Sequence, residues 1–494
     1  MPNSLIPNHF LSPDSKQPAD HNRADSSFSK ALSQQLPPGS ATATTVADAA
    51  VDGPSDQNLI RVEAAENRTP GFAASNATTK TVFMSYFQEN LGVLQEISEI
   101  LAEIDPEITL AIFSGAYERG AEDAHEVRRA FSEGVGSNAI PLPTNGVDAG
   151  AIYSPIGRFT EDGFTALIYD MDGNPVAGGM SRDRVDRGFL AGPHGMFVPL
   201  RSQDMAQTAA ASLDGLGFTG LDFLTYGGDF HVMDLSPTQG LSPQDHGGPS
   251  QVQFFGAETA LLAHNQIFSN EDTIPEHLAD LNQAQQRLYA TAKVMEEIER
   301  ISGSASGIFP LGAGTRTIGE VLATLPEGAR NDISPGVLER LAEMSEYHIP
   351  WNFVGNEQIN YHIDQVLTPL TNNTLIVNDS LRDDPTITKL ENDPNLNIVY
   401  IPNKNESLSD GGEQVTSYIN MLTIYDGETM HLVLPTESAD RENLTAMDIE
   451  VRDQLEALEN VVVHFTSFPA RMIPGRMDYG LNCLTEISSL RIPR

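Results

Sequence analysis

Cys483 is the one cysteine in a chain of 494 residues. With no second thiol it can form neither an intrachain disulfide nor a cysteine cluster for a metal. It is either a small buried apolar residue, the commoner fate of a free cysteine, or a nucleophile. Its setting, Gly480-Leu481-Asn482-Cys483-Leu484-Thr485, favours the nucleophile. Gly480 lets backbone approach a ligand closely, and Asn482 and Thr485 are polar where a core strand would be apolar. A thiolate also needs a base and something to hold the substrate. The stretch Tyr361-His362-Ile363-Asp364 supplies candidates for both. His362 and Asp364 are two apart, so on a strand they point the same way, with Ile363 facing a core. The turn Thr371-Asn372-Asn373-Thr374 and the run Leu375-Ile376-Val377 complete a hairpin signature.

Four short motifs, taken in order, resemble the guanidino-group-modifying enzymes of the pentein fold. The pattern is most similar to that of agmatine deiminases and bacterial-type peptidylarginine deiminases, with arginine deiminases more distant. Tyr226-Gly227-Gly228-Asp229-Phe230-His231-Val232 comes first and His362-x-Asp364 second. Ser417-Tyr418-Ile419-Asn420-Met421 is similar to a Ser-Tyr-x-Asn segment, and Pro469-Ala470-Arg471 leads on to Cys483. The matches run from about Lys80 to the C-terminus. The resemblance implies an α/β pentein propeller of five strand–helix modules about a pseudo-fivefold axis. It would occupy residues 80–494, carry a helical insertion at about 274–348, and follow a disordered N-terminal tail over 1–79. It implies no cofactor and no metal.

The resemblance also implies a reaction. Cys483, as thiolate, attacks the guanidinium carbon. His362 protonates the departing ammonia and then activates water against the covalent thiouronium. Asp364 binds two guanidinium nitrogens. The product is a ureido group, and the substrate is a small cationic guanidino compound, such as arginine or agmatine, or the arginine side chain of a protein. An amidinotransferase would use the same intermediate with an amine as second nucleophile, and a pentein without chemistry would only bind. The sequence leaves both alternatives open.

Two motifs depart from the family pattern. Relatives carry an Arg-Asp segment whose Asp grips the guanidinium. Here Arg158 has no adjacent Asp; Glu161 and Asp162 are the nearest acids, with Asp148 behind them. Arg158 is thus a substrate contact or an ordinary surface ion-pair residue. Relatives often place a Glu before Gly-Gly to orient the catalytic His. Tyr226 stands there instead, and Asp229 after the glycines is the carboxylate that can take the role. A carboxylate near a His raises its pKa and fixes its tautomer. The candidate substrate-binding set is Asp229, Asp162, Arg158 and Arg471.

The elements that must position these residues follow from periodicity and composition. Residues 1–79 are rich in Ser, Ala, Pro, Asn, Asp and Gln, a composition that cannot bury enough apolar surface to fold. Strands are expected at Thr81–Met84, Ile108–Phe113, Leu221–Val232, Thr259–His264, Leu396–Pro402 and Val461–Phe465. Leu91, Leu94, Ile97, Ile100, Leu101 and Ile104 recur at helical spacing, and helices are also expected over Glu122–Phe131, 274–348 and Asp448–Leu458. Asp170-x-Asp172-Gly173-Asn174 lacks the spacing of a calcium loop and reads as a turn. The mixed-charge run Ser181–Arg187 is a solvated stretch, or supplies an arginine that reads a substrate carboxylate.

The chain has 68 acidic and 29 basic residues, a net charge of −39, and the imbalance lies beyond the first 80 residues. Such a surface disfavours nucleic acid and anionic membranes. It attracts cationic substrates, or serves solubility alone. There is no apolar run of ~20 residues to span a membrane, and no basic-then-apolar leader. A cytoplasmic protein is expected, with the tail also able to act as an address for a specialised export system. The helical insertion can act as a lid or stabilise a homo-oligomer.

Overall fold

A computed structural model of the chain describes residues 72, 74, 76–86, 91–114, 139–142, 156–160, 163–169, 175–177, 190–192, 195–199, 218–221, 227–235, 251–269, 274–352, 354, 362–407, 413–472, 480–482 and 485–488. They form a mixed α/β structure of small sheets and helices. Strand β1 (Thr81–Tyr86) leads through the helix Leu91–Ile104 to β2 (Thr109–Ser114), parallel to it, and β3 (Ala139–Leu142) extends that sheet. Strands β4 (Ile156–Thr160), β5 (Gly163–Tyr169) and β6 (Pro175–Ala177) form an antiparallel sheet. In the next, β7 (Leu190–Gly192) is antiparallel to β8 (Gly195–Pro199), which is parallel to β9 (Phe218–Leu221).

That antiparallel-then-parallel pattern recurs. β10 (Phe230–Asp234) pairs antiparallel with β11 (Gln251–Phe255), and β11 parallel with β12 (Ile308–Pro310). β13 (Leu367–Pro369), β14 (Thr374–Asn378) and β15 (Asn397–Ile401) repeat it. After the hairpin β16 (Lys404–Ser407) and β17 (Glu413–Thr416), the strands β18 (Leu422–Tyr425), β19 (Met430–Thr436) and β20 (Val461–Pro469) repeat it again. The short β21 (Arg471–Met472) joins β17, and β22 (Thr485–Ser488) runs antiparallel to β1. The end of the chain therefore gives the first unit the hairpin partner it lacks. Five of the seven sheets among the described residues share this order. Their leading strands lie beside one another, β10 against β13, β18 against β22 and β22 against β7.

Helices make the parallel crossovers, as a parallel pair requires: Leu91–Ile104, Ala257–Phe268 with Gln283–Ser302, Pro385–Glu391, and Ala446–Glu456. All five residues of β14 are buried, the continuous pattern of a covered central strand. Its hairpin turn places Asn372 and Asn373 at φ 56° and 57°, the left-handed region that asparagine tolerates best after glycine.

The expected helical stretch 274–348 holds more than helix. Gln283–Ser302 is the crossover that delivers β12, and Ile318–Leu322, Glu327–Asn331 and Pro335–Glu343 follow the strand. Thr259–His264 is helix, not the strand expected. Ala260 and Ala263 are buried while Leu261 and Leu262 are half-exposed, so burial recurs every third residue rather than every second. The partner of β10 is instead β11, from Gln251–Phe255. The expected helix Glu122–Phe131, the turn at Asp170–Asn174 and the run Ser181–Arg187 lie outside the described residues. No helix among the described residues is long and apolar enough to cross a membrane.

Packing begins before residue 80. Phe72 and Ala74 are buried in the main core, and Phe72 meets Phe230 edge to face with ring centroids 4.7 Å apart. Asn76 exchanges two hydrogen bonds of 2.9 Å with the backbone of Asp234, and Thr79 N donates to Tyr425 O at 2.8 Å. The expected boundary at 79/80 thus cuts through a packed strap. Phe72→Ala should cost about 3–5 kcal/mol, the usual price of a buried Phe, and removal of residues 1–79 should cost more. Urea denaturation of both proteins checks this; unchanged midpoints would show that the strap contributes nothing.

Candidate functional site

The site is built at three chain reversals that meet where β10 lies against β13. The first is the 3-10 turn Gly227–Asp229, which leads into β10. The second is Gly256, between β11 and the helix Ala257–Phe268. The third is the 3-10 turn Ile363–Gln365, preceded by His362 in extended conformation (φ −122°, ψ 160°). His362-x-Asp364 therefore does not lie on a strand, as its spacing suggested. Gln365 N and Val366 N donate to His362 O and Ile363 O at 3.1 and 2.9 Å, and β13 starts only at Leu367. The tight turn sends the two side chains to different partners.

Asp229 is fully buried. Its Oδ2 accepts from Thr259 N at 2.7 Å, in the first turn of the helix, where free N–H groups and the helix dipole favour a negative charge. Its carbonyl accepts from Gly256 N at 3.0 Å. A Cβ at position 256 would overlap Asp229 Oδ1 and crowd Ile363, so glycine is needed there to let the carboxylate close on the helix. Asp229 Oδ1 has no hydrogen-bond partner among the described residues.

Glu258 stands one residue before Thr259, and His362 Nε2 donates to its Oε2. His362 is almost wholly inaccessible, while the Glu258 side chain keeps 21% exposure, so the pair reaches water through the carboxylate. Burial pushes the Asp229 carboxyl up to about 7, opposed by the His362 charge and reinforced by Glu258. Asp364 is fully buried and its charge acts on His231, a buried residue of β10. Burial lowers the His231 pKa to about 4 against that pull, so its imidazole is neutral near pH 7. His231 Nε2 has no hydrogen-bond partner among the described residues.

The structure thus brings His362, Asp364 and Asp229 together and adds Glu258 and His231. Nothing in the spacing of Glu258 pointed to it. The available signal was Gly256 before an Ala-rich run, which marks the start of a helix whose first acid would face a neighbouring turn. Arg471, in β21, is exposed, and its guanidinium lies 3.6 Å from Glu437 Oε1. Arg158 lies in β4, opposite Thr165 of β5. Asp162, Tyr226 and Cys483 lie outside the described residues. Gly480 and Leu481, just before Cys483, pack on Asn420: Leu481 N donates to Asn420 O at 3.1 Å, and a Cβ on Gly480 would overlap the Asn420 side chain. Among the described residues no group of three or more His, Cys, Asp or Glu side chains could hold a metal.

No family model and no curated protein matches this sequence. Among solved structures the chain is similar to "Crystal structure of a putative peptidyl-arginine deiminase", at 9% identity and a TM-score of 0.42, over 86% of this chain and 99% of that one.

The Asp229 pKa has a consequence for stability. Its folded value lies above the unfolded 3.8, so its contribution is fully present below pH 3.8 and is lost as pH rises through about 7. Asn at this position keeps the acceptor for Thr259 N and does not titrate. Asp229→Asn should therefore gain stability relative to the parent between pH 4 and pH 8, measured by denaturant unfolding across that range. A difference independent of pH would show that Asp229 is ionised throughout.

Proposed function

We propose that this protein is a hydrolytic deiminase of guanidino groups, with the strand–helix units arranged as a five-module pentein propeller. The recurring sheet order, with leading strands side by side, supports that frame. The observation that carries the functional reading is the convergence of Asp229, Glu258, His362 and Asp364 from three separate chain segments into one buried cluster. Guanidinium is planar and offers its N–H groups in pairs, and buried carboxylates match that pattern while repaying their own desolvation.

In this reading Cys483 is the nucleophile. Its thiolate attacks the guanidinium carbon, and ammonia leaves with a proton from His362. The same imidazole then takes a proton from water, which displaces the thiolate and leaves a ureido group; the sum is guanidinium plus water to urea plus ammonium. Asp364, and Asp229 beside it, hold the guanidinium nitrogens. Glu258 takes the orienting role that relatives give to a Glu at the place of Tyr226. Its bond to His362 Nε2 fixes the tautomer and leaves Nδ1 as the nitrogen for proton transfer. Asp162, Arg158 and Arg471 remain proposed contacts for the rest of the substrate.

Assays of ammonia and ureido product with arginine, agmatine and an arginine peptide test the reading. One of the three should turn over, and Cys483→Ala should abolish turnover with the fold intact. His362→Gln should lower kcat by roughly 10²- to 10⁴-fold, the usual contribution of a positioned acid–base group. Glu258→Gln should lose less and should shift the pH profile. A haloacetamidine should label the single thiol faster than iodoacetamide of equal intrinsic reactivity. No product from any substrate, together with equal labelling rates, would sink the proposal.

A further inference from the structure

Arg287 stands out in a chain this acidic. It lies on the helix Gln283–Ser302, with its guanidinium carbon 3.4 Å from the centre of the Trp351 ring. The His264 ring meets the same indole edge-on at 4.8 Å and 84°, and stacks at a tilt with Phe268. The platform is fixed from behind, since Trp351 N and Asn352 N both donate to Ala313 O, at 3.3 and 2.9 Å. The chain has 68 carboxylates, yet none of the described ones pairs with Arg287. Its Nε is buried and has no hydrogen-bond partner among the described residues, and burial lowers its pKa to about 10.

Stacking satisfies only the face of a guanidinium. Its N–H groups lie in the plane and point outward from the edge, so the Trp351 ring leaves that fork unused. We propose that Arg287, laid flat on Trp351 beside His264, is a recognition site for the carboxylate of a small organic acid or amino acid. The fork matches the two oxygens of one carboxylate in a bidentate pair. A monoanion suits the site better than a phosphate, because a net charge of −39 opposes each added negative charge and a single arginine supplies one positive charge. The site uses none of the residues assigned to the proposed deimination and stands without it.

Trp351 is the only tryptophan in the chain, so its fluorescence reports directly on the platform. The full chain is titrated with acetate and with arginine at constant ionic strength, balanced with chloride. Emission should change saturably with both. Agmatine, which has the guanidino group but no carboxylate, should leave it unchanged. Arg287→Gln should raise the half-saturation concentration at least tenfold. Arg287→Lys, which keeps the charge without the fork, should also weaken binding, and it carries the test should Arg287→Gln lose its native circular dichroism. Absence of a saturable change would overturn the proposal. So would an equal change with chloride or agmatine, or an unaltered response in the variant used.

Discussion

The contact between a buried carboxylate and the first turn of a helix governs the candidate site. Asp229 is fully enclosed, and its hydrogen-bond partner is Thr259 in the first turn of a helix, whose N–H donates to Oδ2 at 2.7 Å. That contact demands close approach, so residue 256 is glycine. It also sets Glu258 beside His362, because the helix that receives Asp229 begins with that acid. One capping interaction thus fixes the spacing of three reversals. Burial raises the Asp229 pKa to about 7, against the pull of the His362 charge. On the deiminase reading, a guanidinium brings a further positive charge, and its arrival favours the ionised carboxylate over the protonated one. Binding and titration are then one equilibrium.

The repeated sheet order explains why separate segments can meet so closely. Leading strands of the units lie side by side, β10 against β13, β18 against β22 and β22 against β7, and the reversals before β10 and β13 meet. Asp229 precedes β10 and His362-x-Asp364 precedes β13, each as a 3-10 turn. The core is continuous across these units, since Phe230, Ile363, Val366 and Leu367 belong to one buried cluster. In the chain leading into β13, Ile363 and Val366 go to that apolar cluster. Ile363 between His362 and Asp364 is the clearest case, buried against Gly256 while its neighbours meet Glu258 and act on His231.

Much of this was legible in the residues themselves. The helix Leu91–Ile104, the strands flanking it and the hairpin across Asn372-Asn373 follow from periodicity and turn chemistry. His362, Asp364 and Asp229 were visible as types at suggestive spacing. The spacing of His362 and Asp364 suggests a strand that does not form there, because i,i+2 spacing describes a strand only where backbone pairing continues, and here the chain turns before pairing begins. Glu258 was hidden because its partner lies 104 residues away. The run around it is helical by burial every third residue, yet its four apolar side chains also suit a strand. Phe72 was hidden by its surroundings: one aromatic in a polar stretch reads as tail until the ring it meets, Phe230, is known.

The segment before Cys483 owes its position to contacts from several units. Thr368 Oγ1 of β13 donates to Ile419 O at 2.6 Å, Ser417 N donates to Ala470 O at 3.0 Å, and Leu481 N donates to Asn420 O. The short stretch Ser417–Asn420 is therefore bound at once to the unit that carries Asp364, to the end of β20 and to the turn at Gly480. On its other side Thr485 begins β22, whose pairing with β1 joins the two ends of the described chain. The two anchors flank Cys483 in the sequence. Gly480 matters for the same reason as Gly256: at both, a Cβ would collide with a polar side chain, of Asn420 and of Asp229, that lies against the glycine.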